Sequence, residues 1–406
     1  MSLRENAKFI YEQAIRRSLP DSAVNDALSQ FEPPQGKLIL VAIGKAAWQM
    51  ANAAHNKLGK SIDCGIVITK HGHSRGSIGN LEIYEAGHPV PDEAGLRASG
   101  RVLEVTKDLS SEDVVLFLVS GGGSALFEYV EFPLDDLSAL TNQMLASGAS
   151  IEEMNTVRKH LSSLKGGRFA EHIYPARVFA IVLSDIISSR LDMIASGPTV
   201  ADSTTVKDAF AIVEKYNLTL TQKQKELLAR ETPKKIENAE HIVSGSVGEF
   251  CRHAAEAARA RGYEARIMTD CMDIEAREAG EQIGSLAAKL AEEATAPKCL
   301  IFGGETVVHL KGNGKGGRNQ ELALTAAKYI SGMQNVAVFS VGSDGTDGPT
   351  DAAGGYVDGN TYTSIKEYEK YLDNNDSYNA LKQVDGLIVT GPTGTNVNDI
   401  AVILVE

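Results

Sequence analysis

The side chains of this sequence best suited to chemistry stand in glycine-rich loops that follow short apolar runs. Lys45 comes directly after Gly44, where the run 37–43 ends and a helical stretch opens near Ala46. An ammonium beside the positive end of a helix and the carboxyl end of a strand is a natural partner for phosphate or carboxylate oxygens. Lys45 is not a Walker lysine, because no glycine stands five residues before Gly44 and no Ser or Thr follows. Ser120-Gly121-Gly122-Gly123-Ser124 follows the run 114–119, and consecutive glycines let several N–H groups face one anion. Lys315, Gly316, Gly317 and Arg318 close a third loop, whose glycines at 312, 314 and 317 match G-x-G-x-x-G after the apolar run 306–310. The acidic residue that a dinucleotide fold wants about 20 residues further on is missing, so a cationic clamp for phosphate is the expected use.

Carboxylates occupy comparable positions. Asp344, Asp347 and Asp351 lie in the loop 342–351, where they can bind Mg²⁺ or accept a hydroxyl proton; Asp-Gly pairs also make turns, so one or two of the three are expected to act. Asp185 ends an apolar run and reads as a metal ligand or acid–base group, with a helix cap as the competing use. His71, His73 and His88 lack the spacing of a metal set and read as polar contacts. Arg158, Lys159, Lys165 and Arg168 fall on the helical stretch 155–170 and read as a solvated face.

The elements that must position these residues repeat one pattern: a β-branched run, a Gly/Ser/Asp turn, a helical stretch. Runs at 37–43, 64–69, 114–119, 178–183, 241–243, 265–269, 298–302, 336–341, 387–390 and 400–405 read as strands. Apolar runs alternating with helices predict an α/β fold with two α/β domains, largely parallel Rossmann-like sheets with helices on both faces, and an active-site cleft between the domains. A polar helix and Thr232-Pro233-Lys234-Lys235 near 217–241 place the boundary, giving domains 1–240 and 241–406.

Composition narrows the class. Against 40 Lys+Arg stand 53 Asp+Glu, a net charge of −13, and no basic run appears, which excludes a general nucleic-acid binder. The four cysteines form no C-x-x-C pair, so a reducing compartment fits. No signal peptide opens the sequence and no apolar run approaches the ~20 residues of a membrane span, so a cytoplasmic protein with no membrane partner is expected. The 38 glycines are the unusual count, and they concentrate in the loops after strands. Glycine loops, cations and carboxylates together are the parts of a phosphoryl-transfer site.

Several strings carry a resemblance. Ser120-Gly-Gly-Gly-Ser-Ala-Leu, Glu153-Met-Asn-Thr-Val-Arg-Lys-His-Leu, Lys165-Gly-Gly-Arg, Ile194-Ala-Ser-Gly-Pro-Thr-Val, Gly316-Gly-Arg-Asn-Gln-Glu-Leu-Ala-Leu, Asp344-Gly-Thr-Asp-Gly-Pro-Thr-Asp-Ala-Ala-Gly and Thr390-Gly-Pro-Thr-Gly-Thr-Asn-Val-Asn-Asp resemble the class II glycerate 2-kinase family, whose C-terminal half is the MOFRL domain. The resemblance runs from about residue 5 to 405. It implies ATP- and Mg²⁺-dependent phosphorylation of D-glycerate to 2-phosphoglycerate, by a monomer or a homodimer. Carried over by motif, Lys45, Arg318 and Asp344 form the catalytic set. Gly121, Gly122, Gly123, Ser124, Lys315, Gly316 and Gly317 bind the nucleotide or another anion, and Asp185 and Glu305 are the metal candidates. The sequence departs from the family after Asp185, reading Ile186 to Asp192 where a Gly-Asp turn is usual. Some members carry the name hydroxypyruvate reductase, which makes an NAD(P)H oxidoreductase the alternative activity.

Overall fold

The computed structural model describes residues 2–183 and 191–406, so the expected metal ligand Asp185 lies outside the described residues. The chain forms two compact units, one of Ala23–Ser244 and one of Met1–Ser22 with Gly245–Glu406.

In the first unit, β1 (Leu38–Ile43), β2 (Cys64–Lys70), β3 (Leu81–Ala86), β4 (Val114–Val119), β5 (Arg177–Leu183) and β6 (Ala239–Ser244) form one sheet, every pair parallel, in the order β3-β2-β1-β4-β5-β6. The central strands are apolar at every position because both faces are covered. Ile39, Val41 and Ile43 join one buried cluster with Val115, Phe117 and Val119, while Leu38, Leu40 and Ala42 join another with Leu116 and Leu118. The chain winds outward in one direction from β1 and in the other from β4. The loops leaving the carboxyl ends of these two neighbours therefore diverge and open a crevice, the ligand position of this strand order. β3 escapes the periodicity argument because its edge sequence, LEIYEA, mixes charges with apolar residues and buries only its two ends fully.

In the second unit, β7 (Glu264–Met272), β8 (Lys298–Gly304), β9 (Val336–Gly342), β10 (Gly354–Asp358), β11 (Leu387–Ile388) and β12 (Asp399–Val405) order as β11-β10-β9-β12-β8-β7. The α/β class holds, but this sheet is mixed: β7–β8 is parallel and the other four pairings are antiparallel. The apolar runs suggest parallel strands because they report burial on both faces, not direction. Ile400, Val402 and Leu404 face one cluster and Ala401, Ile403 and Val405 the other. With β10 and β12 reversed, the carboxyl ends of β8 and β9 share an edge with the amino end of β12. Residues 306–310 make no strand, only a single bridge from Val307 to Glu275, so the G-x-G-x-x-G loop does not follow a strand as expected.

The N-terminal helix Leu3–Arg17 belongs to the second unit, where the sequence reading had placed it in the first domain. Its Ala7, Ile10, Ala14 and Ile15 pack with Phe250, Ala254 and Tyr263, and Asn6 Nδ2 donates to Tyr263 Oη at 3.0 Å. No helix among the described residues is long and apolar enough to cross a membrane.

Candidate active site

Lys45 stands two residues beyond the end of β1, beside the loop that leaves β4. Its backbone N–H donates to Gly121 O at 2.9 Å, and Ala46 N–H donates to Ser120 Oγ at 3.0 Å, so the β1 and β4 loops are tied to each other. Gly44 must be glycine: its φ is +113°, and a Cβ there would lie 2.4 Å from Ser120 O. Gly122 has φ +89°, and its Cβ would lie 2.9 Å from the His88 ring and 3.4 Å from Lys45 Cγ. The Lys45 side chain is exposed, and its Nζ has no hydrogen-bond or acidic partner among the described residues. Nor do the N–H groups of Gly121 and Gly122 have a protein acceptor among them. A cation and two donors thus converge at the ligand-binding edge of the sheet.

Histidines set aside in the sequence reading frame this edge. His73 Nδ1 is 3.1 Å from Lys45 O and His71 Nε2 is 2.9 Å from Asp92 Oδ2. Burial, then the neighbouring Lys45 and Lys70, pushes His88 below its ordinary range, which keeps it neutral at pH 7.

Behind the glycine loop lies a buried ionic cluster. Glu128 receives Lys165 Nζ at 3.0 Å and Arg158 Nη2 at 3.2 Å, and the same Arg158 nitrogen donates to Ser124 O at 3.0 Å. Lys165 Nζ also donates to Phe127 O at 2.8 Å. The expected solvated basic face is therefore wrong. Residues 155–170 break into the helices Ile151–Leu161 and Arg168–Ile173, and Lys159 and Lys165 are buried, Lys159 against Asp202 at 3.3 Å. Ser124 Oγ continues the network to Ser196 Oγ at 3.1 Å, which donates to Asn155 Oδ1 at 3.0 Å. Ala195 and Ser196 carry φ of 50° and 60°, a conformation costly for residues with a Cβ and concentrated at functional sites.

In the second unit, Arg318 opens the helix Arg318–Ala327 and lies against two carboxylates. Nε and Nη2 bond Asp399 at 2.5 and 3.2 Å, and Nη1 is 3.0 Å from Glu305 Oε1. Glu305, expected to bind metal, makes this ion pair while remaining half exposed. Burial raises the Asp399 carboxyl to about 6, with Arg318 opposing the shift. Sequence reasoning passed over Asp399, although a carboxylate immediately before an all-apolar strand was the available signal.

The three aspartates of the 342–351 loop divide their work. Asp347 is buried and accepts from the N–H groups of Asn319 and Gln320 at 3.2 and 2.8 Å, capping the helix that carries Arg318. Asp351 accepts from Tyr378 Oη at 2.8 Å. Asp344 stays half-buried, its two oxygens oriented by the N–H and hydroxyl of Thr346 at 2.9 and 3.0 Å. Asp347 spends its lone pairs on Asn319 and Gln320, whereas Asp344 and Asp351 each keep acceptor capacity.

The loop 312–317, expected to be flexible, is pinned along its backbone. The N–H groups of Lys311, Gly312, Asn313, Gly314 and Lys315 all donate to residues 374–376 at 2.7–3.1 Å. Its glycines allow close packing: a Cβ on Gly316 would sit 2.2 Å from Ser377 Oγ, and one on Gly317 2.3 Å from Asp347 Cγ. Lys315 lies over the Tyr378 ring at 4.0 Å, still exposed. No group of three metal-ligating side chains gathers among the described residues. They do not build a dedicated Mg²⁺ cage.

The fold and these two strand-end constellations define an α/β protein equipped to bind anions. A family model described as a domain of unknown function (DUF4147) matches residues 6–229, and the MOFRL family model matches residues 298–399. A D-glycerate 2-kinase of Thermotoga maritima is 51% identical, covering 100% of this chain and 99% of its own length. A glycerate 2-kinase of Pyrococcus horikoshii is 40% identical, covering 100% and 98%. A protein of Agrobacterium vitis named putative hydroxypyruvate reductase is 38% identical, covering 100% and 95%. The crystal structure of the Thermotoga glycerate kinase superposes with a TM-score of 0.91 at 50% identity over 100% of this chain and 99% of that one. The chain belongs to the class II glycerate kinase family.

Proposed function

We propose that this protein is a glycerate 2-kinase, transferring the γ-phosphoryl group of ATP to the 2-hydroxyl of D-glycerate and releasing ADP. The observation that carries the reading is the Lys45 ammonium and the N–H groups of Gly121 and Gly122, none of which has a partner among the described residues, at the crevice of a 3-2-1-4-5-6 parallel sheet. Bound ATP supplies the phosphoryl group, and Mg²⁺ is read as the companion of its phosphates, not as a resident ion. Lys45 neutralises charge on the transferring group, and the loop of Gly121, Gly122, Gly123 and Ser124 cradles phosphate oxygens. Arg318 binds an anionic group of substrate. Asp344 accepts the proton of the attacking hydroxyl, the new P–O bond forming as the bond to ADP breaks. Lys315, exposed on its loop, is at most an outer contact for the nucleotide.

The reductase alternative lacks support in these residues: the G-x-G-x-x-G loop spends its N–H groups on residues 374–376, and no glycine fingerprint follows β1. The four thiols are unpaired, as suits the reducing cytoplasm, and the partners are small molecules.

The test offers D-glycerate with ATP and Mg²⁺ or with NAD(P)⁺, following ADP and NAD(P)H, with phosphorus NMR to place the new phosphate on the 2-oxygen. Nicotinamide turnover without ADP would sink the kinase reading. Lys45→Ala and Arg318→Ala should each lower kcat by roughly 10²–10³, the range for losing one transition-state donor. Lys45→Ala should leave Tm unchanged, because its ammonium holds nothing else among the described residues.

A further inference from the structure

The two carboxylates on Arg318 are unequal in a way the proposed reaction does not use. Asp399 grips the Nε–Nη2 edge of the guanidinium with two bonds, and its side chain is 8% exposed. Glu305 touches only Nη1, and its side chain is 47% exposed. Asp399 is placed by the sheet itself: it is the first residue of β12, opposite Gly304 on one side and Gly342 on the other. A Cβ on Gly342 would stand 3.1 Å from Asp399 Oδ1, so glycine leaves room for the carboxylate. Glu305 stands one residue beyond β8, in the loop after the strand.

We propose that Asp399 is a positioning residue that fixes the Arg318 fork, and that Glu305 is a resident stand-in for the substrate's anionic oxygen, holding Nη1 until a carboxylate or phosphoryl oxygen replaces it. The inference rests on reading Arg318 as a substrate-binding cation. A guanidinium held along one edge by a buried carboxylate keeps its orientation, since the planar fork leaves little freedom once two bonds are made. The charge at Nη1 would be costly to leave without a counter-charge, and Glu305 supplies one in the unliganded protein. Exchange of one anionic oxygen for another conserves the local charge. The exchange is easy because a half-exposed ion pair weights an equilibrium by about fivefold at most.

The experiment compares wild type, Glu305→Gln, Asp399→Asn, Arg318→Lys and the double variant Asp399→Asn/Arg318→Lys in the full chain. Removing the stand-in should tighten inorganic phosphate binding, measured by calorimetry, by up to about fivefold in Glu305→Gln. The same variant should lower KM for the substrate that docks on Nη1. Asp399→Asn should lower kcat tenfold or more with a smaller change in KM. In the Arg318→Lys background, where no fork remains to be positioned, the Asp399 substitution should add less than twofold. Weaker phosphate binding in Glu305→Gln would overturn the stand-in role, because Glu305 would then be helping to bind the anion. Multiplicative losses in the double variant would overturn the positioning role. If Asp399→Asn does not fold, as its Tm will show, the Glu305→Gln phosphate affinity still decides the stand-in claim. Absence of ADP release by wild type would defeat the kinase reading alone and leave the phosphate measurement in force.

Discussion

Glu128→Ala tests whether the buried cluster behind the glycine loop is a working support. Glu128 and Lys165 are 1% and 0% exposed and Arg158 is 14% exposed, so solvent cannot replace the lost carboxylate. Burial works to raise its carboxyl, but the charges of Lys165 and Arg158, with hydrogen bonds from Ser162 and Lys165, together outweigh that and hold Glu128 below the ordinary carboxylate range. Removing one partner of a buried ion pair costs about 3–5 kcal/mol. At about 2–4 °C per kcal/mol for a domain of 150–250 residues, the thermal transition of Glu128→Ala should fall by roughly 6–20 °C. Arg158 and Lys165 also hold the carbonyls of Ser124 and Phe127, so kinase activity should fall at temperatures where the variant is still folded.

The pH dependence gives this prediction a second edge. Burial draws the Lys165 ammonium down to about 8, with Glu128 resisting. Between about pH 8 and the ordinary lysine range, the folded protein gives up a proton that the unfolded chain keeps, so the unfolded state binds more protons and stability rises with pH. Without Glu128 the lysine deprotonates more readily, and the uncompensated charge is relieved sooner. The deficit of Glu128→Ala, measured by differential scanning calorimetry, should therefore be smaller at pH 9 than at pH 7. A Tm drop of less than about 2 °C, or a deficit as large at pH 9 as at pH 7, would refute the account.

Three further outcomes are expected. Gly122→Ala forces a Cβ into a φ of +89° and toward the His88 ring, so it should destabilise the protein by about 1–2 kcal/mol in urea unfolding and reduce kcat/KM. Activity should fall as pH drops through about 6, where Asp399 takes up a proton and loosens Arg318; Asp399→Asn should flatten that limb of the kcat profile. The stability sign of Asp399 is opposite to that of a salt-bridged surface aspartate: its folded pKa is raised, so its contribution is present at low pH and is lost as pH rises through about 6. Burial pushes the Cys251 and Cys299 thiols up to about 12, so a thiol reagent should label exposed Cys271 rapidly and those two only after unfolding.

Much of the framework was legible because burial on two faces leaves continuous apolar runs, as at 114–119 and 400–405. Strand direction was not, since the same burial covers parallel β4 and antiparallel β12. One edge strand was missed for the converse reason: Leu81–Ala86 carries two glutamates and a tyrosine. Lys45 and the triple glycine could be read from their position after strands. The loop 312–317 could not, because the reason for its glycines lies some 60 residues away, in the backbone of 374–377 against which they pack. The same limit hid the fate of Lys159 and Lys165, whose buried acidic partners come from distant segments.

The two strand-end cations are held differently, and the difference suits different tasks. Arg318 is pinned by a buried carboxylate, with its reorganisation completed during folding, which favours recognition of a fixed anionic group. Lys45 has only its backbone fastened, by Gly121 and by the hydrogen bonds that Thr69 and His73 make to its carbonyl. Its ammonium on a flexible four-carbon stem can follow a phosphoryl group whose charge moves during transfer. A protein with a net charge of −13 can bind anions in this way, because the relevant field is set within a few ångströms of one exposed ammonium and one oriented guanidinium. If this division of labour holds, Lys45→Arg should be far more damaging than charge conservation suggests: among the described residues no carboxylate pairs with Lys45 to orient a rigid fork, and the fork must fit against Gly121, whose added Cβ would already stand 3.8 Å from Lys45 Cε. Steady-state kinetics of Lys45→Arg at near wild-type kcat would count against it.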